Sequence, residues 1–359
     1  MAIISCGKIN INFLIPIFGG LIKIINKIAN LLLPGNEESD EKHELLDKIF
    51  SIFTSGFYIE LGMVLAFIPF IILKHQTKNT ERTSQQIEAG KSRLNKIIRK
   101  YYDAYKKIIK NKYKLICFAA FLDFSQTFIL STIQDECPYN LWEFDILFLS
   151  LFSYILLKTQ LYRHQFLSIL IIIILGFGLN VVTYIKNGNQ KIDAIQIIIK
   201  TINELFLCLE VVINKYIMDK YFCSLYEICM LEGVIMTLLS FFYICIIIII
   251  NLINRNITNV DYFSLLGLDN PFLYIIVIFV SFFYNISILV TCEKLSACHV
   301  LLTFIVHECY FYVSMILDIF LNIIGILLLI IILIIFLFFI EILEFNLFDI
   351  SRDTKKILE

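Results

Sequence analysis

The chain's ten cysteines contain no C-x-x-C pair, and most of them, including Cys208, Cys229, Cys245 and Cys309, fall inside apolar runs. A thiol in such a run behaves as a small hydrophobe, which argues against both a disulfide framework and a zinc site. H-E-x-x-H and G-x-S-x-G are missing as well, so an intramembrane transferase or hydrolase would have neither a metalloprotease helix nor a nucleophile elbow. No small-residue cleavage pattern follows the apolar N-terminus, and a retained first helix is therefore expected rather than a removed signal peptide. A receptor or structural membrane protein would usually show seven spans or a sizeable soluble domain, and the pattern offers neither. A polar stripe is also lacking in Leu170 to Phe177, which a soluble helical hairpin would need to meet water.

Apolar residues and aromatics are abundant. Hydrophobic residues make up 59% of the 359, with 33 Phe and a mean hydropathy of +0.81, against about 45–50% apolar in soluble domains. The expected fold class is an all-α membrane protein. Its organising stretch is Leu141 to Asn180, two apolar runs around the basic turn Lys158, Arg163 and His164. Each run, at about 18 residues, is long enough to cross a bilayer core of about 30 Å. Lys and Arg in short loops are retained in the cytosol, which places that turn there. The loop 74–114 carries thirteen Lys and Arg against Glu81, Glu88 and Asp103, and belongs on the same side. It carries no recognisable nucleic-acid module, and its tethering between two spans argues against nucleic acid as a partner. Its basic density suits orientation and a solvated face, with anionic lipid headgroups as a further partner.

Spans are expected near Ile9–Leu33, Ile49–Leu73, Leu115–Ile133, Leu141–Leu157, Gln165–Ile185, Ala194–Asn214, Leu225–Ile250, Pro271–Thr291, His299–Phe320 and Asn322–Leu343. The first is the weakest, interrupted by Pro16, Lys23 and Lys27. About ten spans divide as five and five, residues 1–193 and 194–343, followed by a tail, 344–359. An odd number per half would invert the second half relative to the first, the arrangement of many secondary transporters. Alternation from the basic loop leaves the Asn256-Ile257-Thr258 sequon in a non-cytosolic loop, where it can be glycosylated.

Ionisable and polar groups inside spans are costly and should face a bundle interior or a wet cavity. At about 100° per residue, span nine aligns His299, Thr303, His307, Tyr310 and Ser314 on one narrow face. The two histidines lie two turns apart and cannot chelate one ion from a straight helix, so no metal is expected. Span six gathers Lys200, Asn203, Glu204, Glu210 and Asn214 within about a third of its circumference. Lys200 and Glu204 are at i,i+4 and suited to mutual neutralisation, which leaves Glu210 as a candidate proton carrier. Span three offers Asp123, Gln126, Thr127 and Gln134, span eight Ser281, Tyr284 and Asn285, and Glu60 and Glu232 stand as single intramembrane carboxylates. The candidate substrate pathway is Asp123, Gln126, Asn203, Glu210, Glu232, Asn285, His299, Thr303, His307 and Tyr310. Ordinary interhelical hydrogen bonding is the competing role for each.

LFSYILLKTQLYRHQFLSIL with the Gly-rich helix after it, NKYIMDKYFCSLYEICMLEGVIMTLLSFFYI, CEKLSA and EILEFNLFDISRDTKK resemble the drug/metabolite transporter superfamily. The nearest part is the solute carrier family 35 F branch, related to nucleotide-sugar and chloroquine-resistance-type transporters. Leu161 to Gln165, Asn214-Lys215, Glu232-Gly233 and Leu295 to Ala297 sit where that group has its recurring motifs. The resemblance implies ten helices in two inverted five-helix repeats, both termini in the cytosol, and passage of a small organic solute (nucleotide-sugar, amino-acid-like or drug-like) across an endomembrane of Golgi, lysosomal or vacuolar type. Assembly as a homodimer is compatible with it, and no cofactor is implied. Relatives often carry Arg in the fourth span and two more in the ninth; this chain reads EFDILFLS and CHVLLTFIVHE there, so an arginine-held anionic solute does not carry over. The other classes that remain open are an intramembrane enzyme and a receptor.

Overall fold

In the computed structural model of the chain, residues 4–6, 14–31, 57–82, 110–129, 143–160, 162–186, 194–253, 271–306, 319–339 and 343–345 are described. In chain order they form β1 (Ile4–Cys6), α1 (Leu14–Leu31), α2 (57–64), α3 (Phe67–Arg82), α4 (110–129), α5 (Glu143–Phe152), α6 (Arg163–Lys186), α7 (Ala194–Tyr221), α8 (Leu225–Ile253), α9 (Pro271–Lys294), α10 (Ala297–Val306), α11 (Ile319–Phe339) and β2 (Leu343–Phe345). Most of the basic loop, the sequon and the tail beyond Phe345 lie outside the described residues.

The described residues are helical, as expected, apart from one pair of three-residue strands. β1 pairs antiparallel with β2, Ile4 opposite Phe345 and Cys6 opposite Leu343, so the two ends of the described chain meet. Among the described residues four stretches are long and apolar enough to cross a membrane, Phe57–Lys74, Arg163–Val182, Leu225–Ile246 and Tyr274–Lys294. Their outward faces are those of a membrane protein. Along α6, Phe166, Leu167, Leu170, Ile174, Phe177 and Val181 are exposed, while Ser168, Ile169, Ile172 and Leu179 are buried on the other side. Exposed apolar surface of this extent calls for lipid rather than water.

The second expected span is not one straight helix. Proline at 69 has no N–H, and its ring collides with the carbonyl four residues back, that of Leu65. The helix accordingly tightens to i→i−3 bonds, Leu65 N to Gly62 O at 3.1 Å and Ala66 N to Met63 O at 3.0 Å, and restarts as α3. At the hairpin, α5 widens into a π-turn, Ser153–Leu157, and stops at Lys158 in the left-handed conformation with φ 57°. Gln165 then closes the start of α6: its Oε1 accepts from Tyr162 N at 3.0 Å, a capping-box bond. Its Nε2 reaches the Phe339 carbonyl at 3.2 Å and fastens α6 to the end of α11.

Helix α1, the weakest span by sequence, packs along α9. Gly19 and Gly20 make that approach possible. A Cβ on Gly20 would lie 2.6 Å from Val306 Cβ and 2.9 Å from the Thr303 carbonyl, and one on Gly19 would lie 2.4 Å from Ser287 Oγ. The other principal contacts are α6 with α11, α5 with α7, α3 with α8, and α9 with both α7 and α8. Between α7 and α8 only residues 222–224 intervene, and Asn214 of α7 reaches Glu232 of α8 across this connection.

Candidate functional site

Four of these helices contribute a carboxyl group to one interior cluster. Asp123 of α4 lies within electrostatic reach of Glu60 of α2, Glu210 of α7 and Glu232 of α8, and Glu210 and Glu232 also bear on one another. Asp123 is thus the hub of a cluster drawn from both halves of the chain. Uncompensated carboxylates in a helical interior are expensive, so each must find donors or a cation.

The neighbouring donors satisfy only part of that need. Gln126 Nε2 donates to Glu210 Oε2 at 2.9 Å, joining α4 to α7. Asn214 Nδ2 donates to Glu232 Oε2 at 3.4 Å, and Ser240 Oγ to Glu60 Oε1 at 2.7 Å. What remains is a set of acceptors. Glu60 Oε2, Glu232 Oε1 and Asn214 Oδ1 find no donor among the described residues, although their residues are only 1%, 2% and 3% exposed. Close helix approach holds the cluster in place. Gly62 and Gly233, next to two of its carboxylates, sit where a Cβ would meet the Ile278 carbonyl at 2.4 Å and Met63 Cβ at 2.6 Å, respectively.

At the edge of this cluster lies a cation from α1. Lys23 Nζ stands 4.6 Å from the Phe304 ring centre and 5.9 Å from that of Tyr284. Tyr284 in turn feels the charges of Lys23, Glu210 and Asp123, so it links the ammonium to the carboxyl groups.

The structure places the sequence-derived candidates unevenly. Asp123, Gln126, Glu210 and Glu232 come together. Asn203, on the same face of α7 as Glu210, is buried with its Oδ1 free of any donor among the described residues. Asn285 is turned back on its own helix, where Nδ2 donates to the Ser281 carbonyl at 3.0 Å. His299 sits in the 3-10 turn that opens α10, its Nδ1 2.6 Å from Ser296 Oγ. Thr303 is fully buried and donates to the Pro16 carbonyl at 3.0 Å, so it clamps α1 to α10 instead of facing a pathway. His307 and Tyr310 lie outside the described residues.

Glu60, Asn214 and Tyr284 join the site although the sequence marked them only as polar groups within spans, and Phe304, Lys23 and Ser240 were not candidates at all. Lys23 reads in the sequence as a flaw in an apolar run; the usable signal was that a cation there needs a partner. Ser240 gave no signal, since a lone serine in a membrane helix most often bonds to its own backbone. Among the described residues no group of three or more His, Cys, Asp or Glu is arranged to hold a metal ion. No protein-family model matches the chain, and no curated protein matches it.

Proposed function

We propose that the chain is a multi-pass endomembrane transporter that moves a small organic solute by alternating access through a central polar cavity. The observation that carries this reading is the Gln126–Glu210 bond at the Asp123-centred cluster. It sets a polar centre between the two halves of an otherwise apolar helical body, where secondary transporters place their solute.

The helix contacts support two inverted five-helix repeats. Numbering the spans from α1, with α2 and α3 together as the second, the repeat relates span one to six, three to eight and four to nine. The contact of span one with eight, α1 on α9, then has its counterpart in span six with three, the Glu210–Gln126 bond of α7 and α4. The contact of span four with six, α5 on α7, has its counterpart in span nine with one, Thr303 on Pro16. Contacts of two with seven and five with ten map onto themselves, and both are present as α3 on α8 and α6 on α11. Pairing of β1 with β2 fits an even number of crossings with both ends on one side, the cytosolic one by the basic-loop rule.

Uptake by the purified chain in sealed liposomes tests the reading. A mixed pool of small metabolites, resolved by mass spectrometry, should include one that accumulates with the wild-type chain and falls to the empty-liposome level with Asp123→Asn and Glu210→Gln, both monodisperse in detergent. No protein-dependent accumulation of any solute would refute transport.

A further inference from the structure

We infer that the Asp123-centred cluster is a binding site for the protonated amine of an organic solute, and that Lys23 is a tethered ammonium that competes with it. The inference deepens the transport reading by naming a substrate class, and rests on it for the solute's passage but not for its binding.

Three independent features point to a cation with N–H donors. The first is the sign of the site: Asp123 with three further carboxyl groups, each from a different helix. The second is what is missing from their bonding. Glu60 Oε2, Glu232 Oε1 and Asn214 Oδ1 are all acceptors, all buried, and all without a donor among the described residues. An anionic solute would add acceptors where donors are needed, whereas an ammonium supplies both the charge and the N–H groups. The third is Lys23, whose ammonium already lies over the Phe304 and Tyr284 rings beside the cluster. Ring faces attract a desolvated cation through their quadrupole, and a primary ammonium is the group the chain itself lodges there.

The same geometry gives Lys23 its role. Its stem rises from α1, a helix held against α9 and α10 by Gly19, Gly20 and the Thr303–Pro16 bond. The ammonium can therefore reach the edge of the site but is tethered to one wall. A soluble amine entering the cluster takes over the ring faces and displaces it.

The test is equilibrium binding to the full chain in nanodiscs, using three probes with one ring and different charge: phenethylammonium, 2-phenylethanol and phenylacetate. Phenethylammonium is expected to bind and raise the melting temperature, with the neutral and anionic probes doing neither. Asp123→Asn should abolish that binding. Lys23→Met, which leaves the acidic groups in place and so guards against a misfolded Asp123 variant, should tighten it by about threefold to tenfold, the range set by one cation–π contact. Equal binding of 2-phenylethanol, preferential binding of phenylacetate, or weaker amine binding by Lys23→Met would each overturn the inference. Amine binding without liposome flux would instead sink the transport reading alone, and flux of a metabolite without charge discrimination in binding would sink this one alone.

Discussion

Lys112 Nζ donates to Glu227 Oε1 at 2.6 Å, with both side chains largely buried at 15% and 18% exposure. The pair joins the first turn of α4 to the first turn of α8, and so ties the two halves of the chain at the end where the basic loop enters. Glu227 is the third residue after the N-cap Ser224, whose Oγ accepts from Tyr226 N at 3.3 Å. That position suits a carboxylate, because free N–H groups and the helix dipole both favour negative charge. The Cys223 thiol also donates to Glu227, to Oε2 at 3.2 Å. Removing the lysine leaves a partly buried carboxylate with one weak donor. Lys112→Met is expected to destabilise the protein by about 1–3 kcal/mol, and Glu227→Gln by less, since the amide oxygen still accepts from Lys112 while its NH2 faces the Cys223 sulfur as a donor. Melting temperatures in one detergent check the order, with the Cys223 bond reversed in Glu227→Gln; equal losses, or none, would show that the pair is screened.

Alkaline pH should act on the same corner. Burial works against the Lys112 charge, but the hydrogen bond and charge of Glu227, with Cys223 beside it, outweigh that and hold the amine above its ordinary range. The Cys223 thiol is pushed up to about 12, first by burial and then by its bond to Glu227. Both groups therefore keep their protons more tightly folded than unfolded, and stability falls as pH rises. The contribution of Cys223 is complete below about 9 and lost by about 12; that of Lys112 starts to go above its unfolded value of about 10.4. The wild-type advantage over a Lys112→Met/Cys223→Ala variant should stay level from neutral pH to about 9 and shrink beyond it, by up to about 1.4 kcal/mol per pH unit for each proton. Chemical denaturation at a series of pH values would show this, and an advantage that grew with pH would reverse the assignment.

Helix approach at Gly62 should tolerate no added methyl. The new Cβ would stand 2.4 Å from the Ile278 carbonyl and 3.1 Å from Phe282 N, both backbone atoms that cannot rotate away. Gly62→Ala is expected to cost about 1–3 kcal/mol, the usual penalty of overpacking. Gly178→Ala serves as the control, because its Cβ would meet nothing nearer than Leu328 Cδ1 at 3.9 Å. Thermal unfolding of the two variants should separate them; matched curves would mean that α2 and α9 can slide apart freely.

Ser240→Ala is expected to reveal what supports Glu60. Ser240 Oγ donates to Glu60 Oε1 at 2.7 Å, and Oε2 already lacks a donor among the described residues. Leaving both oxygens without a donor should cost about 1–3 kcal/mol, whereas Ser240→Thr keeps the hydroxyl and should recover most of it. If Ser240→Ala melts with the wild type, Glu60 draws its support from elsewhere.

Much of this protein was legible without coordinates. The helical, membrane-embedded class follows from run length and hydropathy alone, because a lipid interior obliges each apolar run to satisfy its own backbone bonds as a helix. Asp123, Gln126, Glu210 and Glu232 could be singled out for a related reason: hydrocarbon makes every buried polar group conspicuous. The spacing of residues within one helix also held, so that Asn203, Glu210 and Asn214 share a face of α7. Partnership was not legible, since periodicity describes one helix at a time. His299, Thr303 and His307 align on a single face by sequence, yet Thr303 turns to Pro16 of a helix nearly three hundred residues earlier in the chain. Only tertiary packing decided that Glu60, Asp123, Glu210 and Glu232 converge, that Gln126 and not a cation meets Glu210, and that Lys23 reaches Tyr284 and Phe304. Those outcomes depend on how closely two helices approach and at what height they cross, quantities set by glycines such as Gly20, Gly62 and Gly233 acting on residues far away in the sequence.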